Sequence, residues 1–429
     1  MIYLDHAAAT LVSERVFEAM KPYFSDDFFN PSAAYLPAKK VASDYENAKA
    51  TIAHAIGAKA NDIVITAGAT EANNLALSVV ASAFSEARLE FSSTSYAGTR
   101  PESSLRDESA RSVRNIRVEN SNQHLMLQKK QNATNPQILY LITEHDSVRK
   151  VAEQYGGEAI AVDKNGRIVL EDLKTKITDQ TMLISVSLAN NELGVIQPMS
   201  EIAAIIRDVR FDRLKRGIKT PLYLHSDASQ AMNLLDINVA RLGVDLLTLN
   251  AAKVYGPKGV GALYVAHGVK LQPLTRGGGQ ENGLRSGTEN VPGVIGFAKA
   301  IAEAKEHLNG NRKKYANWRK IMLSELCDYG LINKKYVLDN FVVLCYNGID
   351  AERLVFLLEE KGIYVSTGAA CAASKGVRSH VLAAIGLSDG EIAGSLRLTM
   401  GETNTEEQIH KAAKIINEVV AGERERVTS

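Results

Sequence analysis

NAAKVYGPKGVGAL, Asn250 to Leu263, decides how this chain is read. It follows an apolar, strand-like run (Val244, Leu246, Leu247, Leu249), and its turn carries Gly256, Pro257, Gly259 and Gly261 ahead of a second strand-like run, GALYV. Lys253 therefore stands at a strand end, pinned by a rigid turn. Lysine is costly to bury, so this one is either a solvated loop lysine or a reactive amine. A reactive lysine amine forms Schiff bases with carbonyl compounds.

Working outward, YLHSDASQA (Tyr223 to Ala231) reads as a short strand, Tyr223 to His225, delivering Asp227 and Gln230 at its end. Asp227 is either a helix N-cap or an acidic partner for a cofactor. Pyridoxal phosphate (PLP) is held by a lysine with a carboxylate on its pyridine nitrogen, which keeps the ring protonated as an electron sink. Farther upstream, DIVITAGATEANNLAL (Asp62 to Leu77) reads as strand, glycine turn, helix. Gly68, Ala69 and Thr70 would open that helix and present backbone N–H groups and a positive dipole end to an anion such as phosphate. Thr70 is equally an ordinary cap.

Further motifs run nearly from end to end: YLDHAAAT (Tyr3 to Thr10), NPSA (Asn30 to Ala33), TEHDSV (Thr143 to Val148), NNELGVIQP (Asn190 to Pro198), RGGGQENGLRSGTENVPG (Arg276 to Gly293), STGAAC (Ser366 to Cys371) and SLRLTMG (Ser395 to Gly401). Together with the segments above, in this order, they resemble the cysteine desulfurases. That family lies in the class V aminotransferase group of fold-type-I PLP enzymes. The resemblance implies that Lys253 holds PLP and Asp227 pairs with its pyridine nitrogen. Gln230 and Asn191 would contact the ring's phenolic oxygen or the substrate. His145 would stack on the ring and shuttle protons. Ala69 and Thr70 would bind the phosphate, Asn250 would help hold the cofactor, and Thr288 would reach the phosphate of the neighbouring subunit. Arg397 would clamp the substrate carboxylate, a task suited to its planar fork. Cys371 would be the nucleophile that takes sulfur from L-cysteine, leaves L-alanine and passes the sulfur to an acceptor protein.

The residues also admit plainer roles. His145 follows an apolar run, Ile138 to Thr143, and so emerges at a strand end, where open α/β sheets gather ligands; its alternative is a hydrogen-bonded structural histidine, the role read for His6, His225 and His380. Arg397 alternates with Leu396, Leu398 and Met400, as a surface charge on a strand would. The three cysteines have no metal-ligand spacing, which fits a reducing compartment. Cys327 and Cys345 sit in apolar runs and read as buried small hydrophobes. Cys371 sits among small residues in STGAACAASKG, where a thiol can be reached and ionised.

Departures from the family are local. The family usually has a histidine just before the lysine and a serine three positions before it, where this chain has Ala252 and Asn250. Ala252 cannot donate, and Asn250 is expected to compensate in part. The catalytic loop reads GAAC where a serine more often precedes the Ala-Cys pair. Thr70 and His145 are also farther apart than usual. The added segment, about residues 88–136, is rich in Ser, Arg, Asn and Gln and poor in large apolar side chains. It reads as a surface insertion without its own core. The long loop between Cys371 and Arg397 resembles the subgroup serving iron–sulfur assembly.

With 50 basic and 49 acidic residues, the net charge is +1 and implies no polyanion surface. No stretch approaches the ~18 apolar residues of a spanning helix, so a cytoplasmic protein is expected. The expected fold class is α/β: the fold-type-I PLP-dependent transferase fold, with a mostly parallel seven-stranded sheet in a large domain (15–270) and a smaller α+β domain (1–14 and 271–429). A homodimer with shared sites follows from the resemblance. Other readings on the same scaffold are a selenocysteine lyase, an aminotransferase, which needs no thiol, or a non-catalytic scaffold.

Overall fold

The computed structural model describes residues 1–81, 136–367 and 378–428. Nearly all of the expected insertion, about 88–136, and Cys371 with its loop lie outside the described residues.

After a short N-terminal strand, β1 (Ile2–Tyr3), seven strands build the large sheet: β2 (Ile63–Thr66), β3 (Gln137–Leu141), β4 (Glu158–Ile160), β5 (Thr181–Ser185), β6 (Tyr223–Asp227), β7 (Leu246–Asn250) and β8 (Gly261–Val265). Their order is β2-β8-β7-β6-β5-β3-β4. The pairings β7-β6, β6-β5, β5-β3 and β3-β4 are parallel, and β8 is the antiparallel return strand that pairs with β7 and β2. The sheet is therefore mostly parallel, as expected from the alternation of strands and helices.

The two-residue period of the strands assigns their side chains. Ile63, Ile65, Leu139, Leu141, Ile184, Leu247 and Leu249 enter one core. Val64, Ile138, Tyr140, Leu183, Leu246 and Leu263 point to the opposite face and enter another. Burial on both faces is why the strands read as continuous apolar runs rather than alternating ones. The helices Ala69–Leu77 and Asp146–Gln154 close the second face with Ala72, Leu75, Val148 and Ala152.

The C-terminal part carries β9 (Gly330–Leu331), β10 (Phe341–Cys345), β11 (Ile363–Tyr364), β12 (Ser366–Thr367) and β13 (Ser395–Thr399). A four-stranded sheet runs β12-β13-β10-β9, and β1 pairs in parallel with β11. That pairing brings the N-terminus to the C-terminal strands and sets Asp5 beside Thr399.

Three local expectations change. The helical apolar patterns over 294–308 and 311–326 predict two helices, but the structure joins them into one, Val291–Glu325. Gly310 lies within it, because a helix buried along Phe297, Ile301, Tyr315, Trp318 and Met322 tolerates the ~1 kcal/mol cost of one glycine. The pattern from Thr405 predicts a last helix ending near Val420, whereas the helix runs Glu406–Thr428. Cys327 is exposed rather than buried, since it falls just past the end of the long helix; Cys345 on β10 is buried.

Candidate active site

The carboxyl ends of β3, β5, β6 and β7 open into a cleft of about 600 Å3 lined by Ala69, Thr70, Glu144, His145, Ser187, Asn191, Glu192, Asp227, Gln230, Asn250 and Lys253, with Ala7, Ala8, His380 and Arg397 from the chain's two ends. Ligands gather at this edge of parallel sheets. The structure thus brings together Lys253, Asp227, His145, Gln230, Asn191, Ala69, Thr70, Asn250 and Arg397. Thr288 is exposed and does not line the cleft.

Lys253 ends a 3-10 turn, Ala251–Lys253, directly after β7. The next turn includes Tyr255 with φ +62°, uncommon for a residue with a side chain. Its backbone N–H donates to Thr10 Oγ1 at 2.9 Å, and its hydroxyl accepts from the Glu402 N–H at 2.7 Å, so distant segments hold the turn. Asn233 Nδ2 also donates to the Lys253 carbonyl at 2.6 Å. The Lys253 ammonium donates to the carbonyl oxygens of Ala7 at 2.7 Å and Ala8 at 2.5 Å, and these neutral acceptors hold the amine in place.

Asp227 closes β6. Its Oδ1 accepts from the Ser229 N–H at 2.9 Å and its Oδ2 from Asn73 Nδ2 at 2.8 Å. Gln230 donates to the Ala7 carbonyl at 3.0 Å. His145 caps the helix Asp146–Gln154, with Nδ1 accepting from the Ser147 N–H at 3.1 Å.

Gly68 caps the helix Ala69–Leu77 with φ +142°, a conformation essentially confined to glycine. The start of β8 presses against it: a Cβ added at Gly261 would stand 2.8 Å from Gly68 Cα. The first N–H groups of the helix face a second hollow of about 550 Å3, lined by Gly68, Ala69, Thr70, Asn250 and Ala252, that shares Ala69, Thr70 and Asn250 with the cleft. An anion is favoured there by the helix N-terminus. Asn250 Oδ1 accepts from the Ala252 N–H at 3.2 Å, so the side chain spends its acceptor on the local turn and keeps its amide N–H groups for a ligand.

Arg397, on β13, is only 3% exposed, which rules out a surface charge. Its Nη2 donates to Asp5 Oδ1 at 2.7 Å and its Nη1 to the Asn191 carbonyl at 2.7 Å, while its Nε is buried without a partner among the described residues. Of the three structural histidines, His6 bonds the Thr399 carbonyl and Thr403 Oγ1, and His225 bonds Ser185 and Thr248. Burial lowers the His225 pKa to about 4. His380 Nε2 donates to the Glu144 carbonyl at 3.0 Å but lines the cleft as well.

Two carboxyl groups in the cleft went unassigned from sequence. Glu144 is fully buried; Oε1 accepts from the Ser187 N–H and Oε2 has no partner among the described residues. Burial, reinforced by the Asp227 charge and opposed by the Ser187 bond, raises its pKa to about 8. Glu192 accepts from the Ser379 hydroxyl at 2.5 Å, and burial pushes it up to about 7 against the pull of Ser379 and Arg397. Both lie inside quoted motifs, TEHDSV and NNELGVIQP. Their adjacency to His145 and Asn191 is the signal that could have marked them.

The family profile Aminotransferase class-V matches residues 2–94 and 123–411, leaving out part of the expected insertion. Cysteine desulfurase IscS of Clostridium botulinum (strain Hall) is 33% identical over 99% of this chain and 95% of its own length. Cysteine desulfurase IscS 1 of Archaeoglobus fulgidus is 34% identical over 98% of this chain and 97% of its own. A solved NifS-like protein superposes with a TM-score of 0.79 at 28% identity, covering 98% of this chain and 99% of that one. The chain belongs to the class-V aminotransferase family.

Proposed function

We propose that this protein is a PLP-dependent cysteine desulfurase that converts L-cysteine to L-alanine and carries the sulfur on Cys371 to an acceptor protein. The observation that carries this reading is the convergence of Lys253, Asp227, His145 and Arg397 on one cleft beside a helix N-terminus. That set suits PLP: an amine for its aldehyde, a carboxylate for its pyridine nitrogen and anion-binding N–H groups for its phosphate. The full-length resemblance to cysteine desulfurases supports the same reaction.

PLP, when bound, supplies an electron sink for the charge left as the substrate loses its α proton. Lys253 would hold the cofactor through its amine and, when that amine is free, would take the substrate's α proton. Asp227 keeps the pyridine nitrogen protonated. His145 would stack on the ring and take part in proton transfer, Gln230 and Asn191 would reach the phenolic oxygen or the substrate, and Asn250 would help steady the cofactor. Ala69 and Thr70 take the phosphate, joined by Thr288 from the neighbouring subunit. Arg397 binds the substrate carboxylate. The Cys371 thiolate attacks the substrate sulfur; an S–S bond forms, the C–S bond breaks, and its electron pair stays with the carbon skeleton, which is protonated to alanine. The resulting persulfide is passed to an acceptor such as an iron–sulfur scaffold or a thiolation protein.

The division into 15–270 and 1–14 with 271–429 accounts for a cleft lined from both ends of the chain. A homodimer fits the exposed apolar side chains Phe28, Tyr35 and Leu36, 65%, 54% and 80% exposed, where Phe28 stacks on Phe29 and Phe29 meets Tyr35 edge-on. Among the described residues no helix is long and apolar enough to cross a membrane; we place the protein in the cytoplasm. The test is alanine and sulfide release from L-cysteine with added PLP and a thiol reductant. Equimolar products, lost in Cys371→Ala, are expected. A PLP-loaded protein that releases no alanine would overturn the reading.

A further inference from the structure

We propose that Asn73 and Ser147 are positioning residues that tie His145 to Asp227 and hold the His145 ring in its Nε2–H tautomer. Asn73 is fully buried. Its Nδ2 donates to Asp227 Oδ2 and to Ser147 Oγ, both at 2.8 Å, which uses both amide hydrogens. A carboxylate only accepts, so Asp227 fixes which way the amide faces. The Asn73 Oδ1 left over is buried without a partner among the described residues, and turning the amide over would set that oxygen against the Asp227 carboxylate.

The next link follows from hydrogen counting. Ser147 Oγ accepts from Asn73, and its single hydrogen is left for His145 Nδ1 at 2.8 Å. The Ser147 backbone N–H reaches the same Nδ1 at 3.1 Å. A backbone N–H can only donate, so Nδ1 must present a lone pair. The ring is then neutral and carries its hydrogen on Nε2. Nδ1 is enclosed by Ser147, which leaves Nε2 as the nitrogen for the cleft that His145 lines.

This assigns His145 a hydrogen-bonding direction in the cleft, a consequence that rests on the function proposed above. It enters the reaction as a hydrogen-bond donor from Nε2, since giving that hydrogen up outright would leave the neutral ring as an imidazolate. Accepting a proton at Nε2 would require one on Nδ1, against two converging donors. Taking the substrate's α proton therefore falls to another base, consistent with Lys253. Asn73 does not line the cleft and acts through Asp227 and Ser147; Ser147 lies at the cleft's edge and acts on His145 Nδ1.

The tautomer can be read without substrate or cofactor. The full-length protein, labelled with 15N-histidine and stripped of PLP, is followed by ring-nitrogen NMR, with His145 assigned by its loss in His145→Gln. A lone-pair Nδ1 and a protonated Nε2 are expected. Ser147→Ala should shift the tautomer ratio toward Nδ1–H by about fivefold, the worth of one ordinary hydrogen bond, and Ser147→Thr should restore it. In turnover of L-cysteine, Ser147→Ala should lower kcat with little change in KM. A predominant Nδ1–H ring in the native protein, or ring shifts unmoved by Ser147→Ala, would overturn the proposal. Failure to release alanine with the expected NMR pattern intact would refute the desulfurase reading alone.

Discussion

Replacing Glu144 by glutamine tests whether burial sets the charge state of this cleft. The carboxyl is fully buried, keeps one acceptor bond from the Ser187 N–H, leaves Oε2 without a partner among the described residues and feels the Asp227 charge. Its pKa is raised from 4.5 to about 8. Below pH 4.5 the group is protonated whether or not the chain is folded. Between pH 4.5 and 8 the unfolded chain loses this proton while the folded one keeps it, so rising pH favours unfolding. The stability lost across that window is on the order of 5 kcal/mol. The glutamine amide would still accept from Ser187 and cannot ionise. Urea midpoints measured from pH 5 to pH 9 should therefore converge at the acid end. At pH 9, Glu144→Gln should be the more stable protein by several kcal/mol, on the order of the ~5 kcal/mol above. Glu192 titrates with the same sign in both proteins and cancels. Parallel pH profiles, or a variant less stable at pH 9, would refute the reasoning.

Two further outcomes concern buried charges. Asp5→Ala should cost about 3–5 kcal/mol in urea unfolding, because it strips Arg397 of the partner at 2.7 Å while the arginine stays buried; a loss under ~1 kcal/mol would mean the pair is solvated. Glu281→Ala should cost a similar ~3–5 kcal/mol. Glu281 accepts from Tyr45 at 2.5 Å, Lys49 at 3.1 Å and the Ile65 N–H at 2.8 Å, and all three lose a buried acceptor. The companion change Lys49→Met should recover part of the loss, and no recovery would show that the unpaired lysine is not its source.

The legible part of this protein was what periodicity and motif carry. Apolar strands buried on both faces, the glycine turn at Gly68 and the lysine after β7 all leave marks within a few residues of themselves, because a strand's period and a turn's backbone demands are local. The long helix Val291–Glu325 shows the limit even there: Gly310 reads as a break, and only packing overrides it. The sequence by itself determined the sheet's composition, the family motifs and the set of chemical groups. Tertiary structure alone decided that Arg397 would be buried against Asp5, 392 positions away, that Glu144 would hold its proton and that Asn73 would bridge Asp227 to Ser147. Desolvation and hydrogen-bond partnership are properties of contacts between distant segments, and no spacing along the chain encodes which polar atom will be cut off from water.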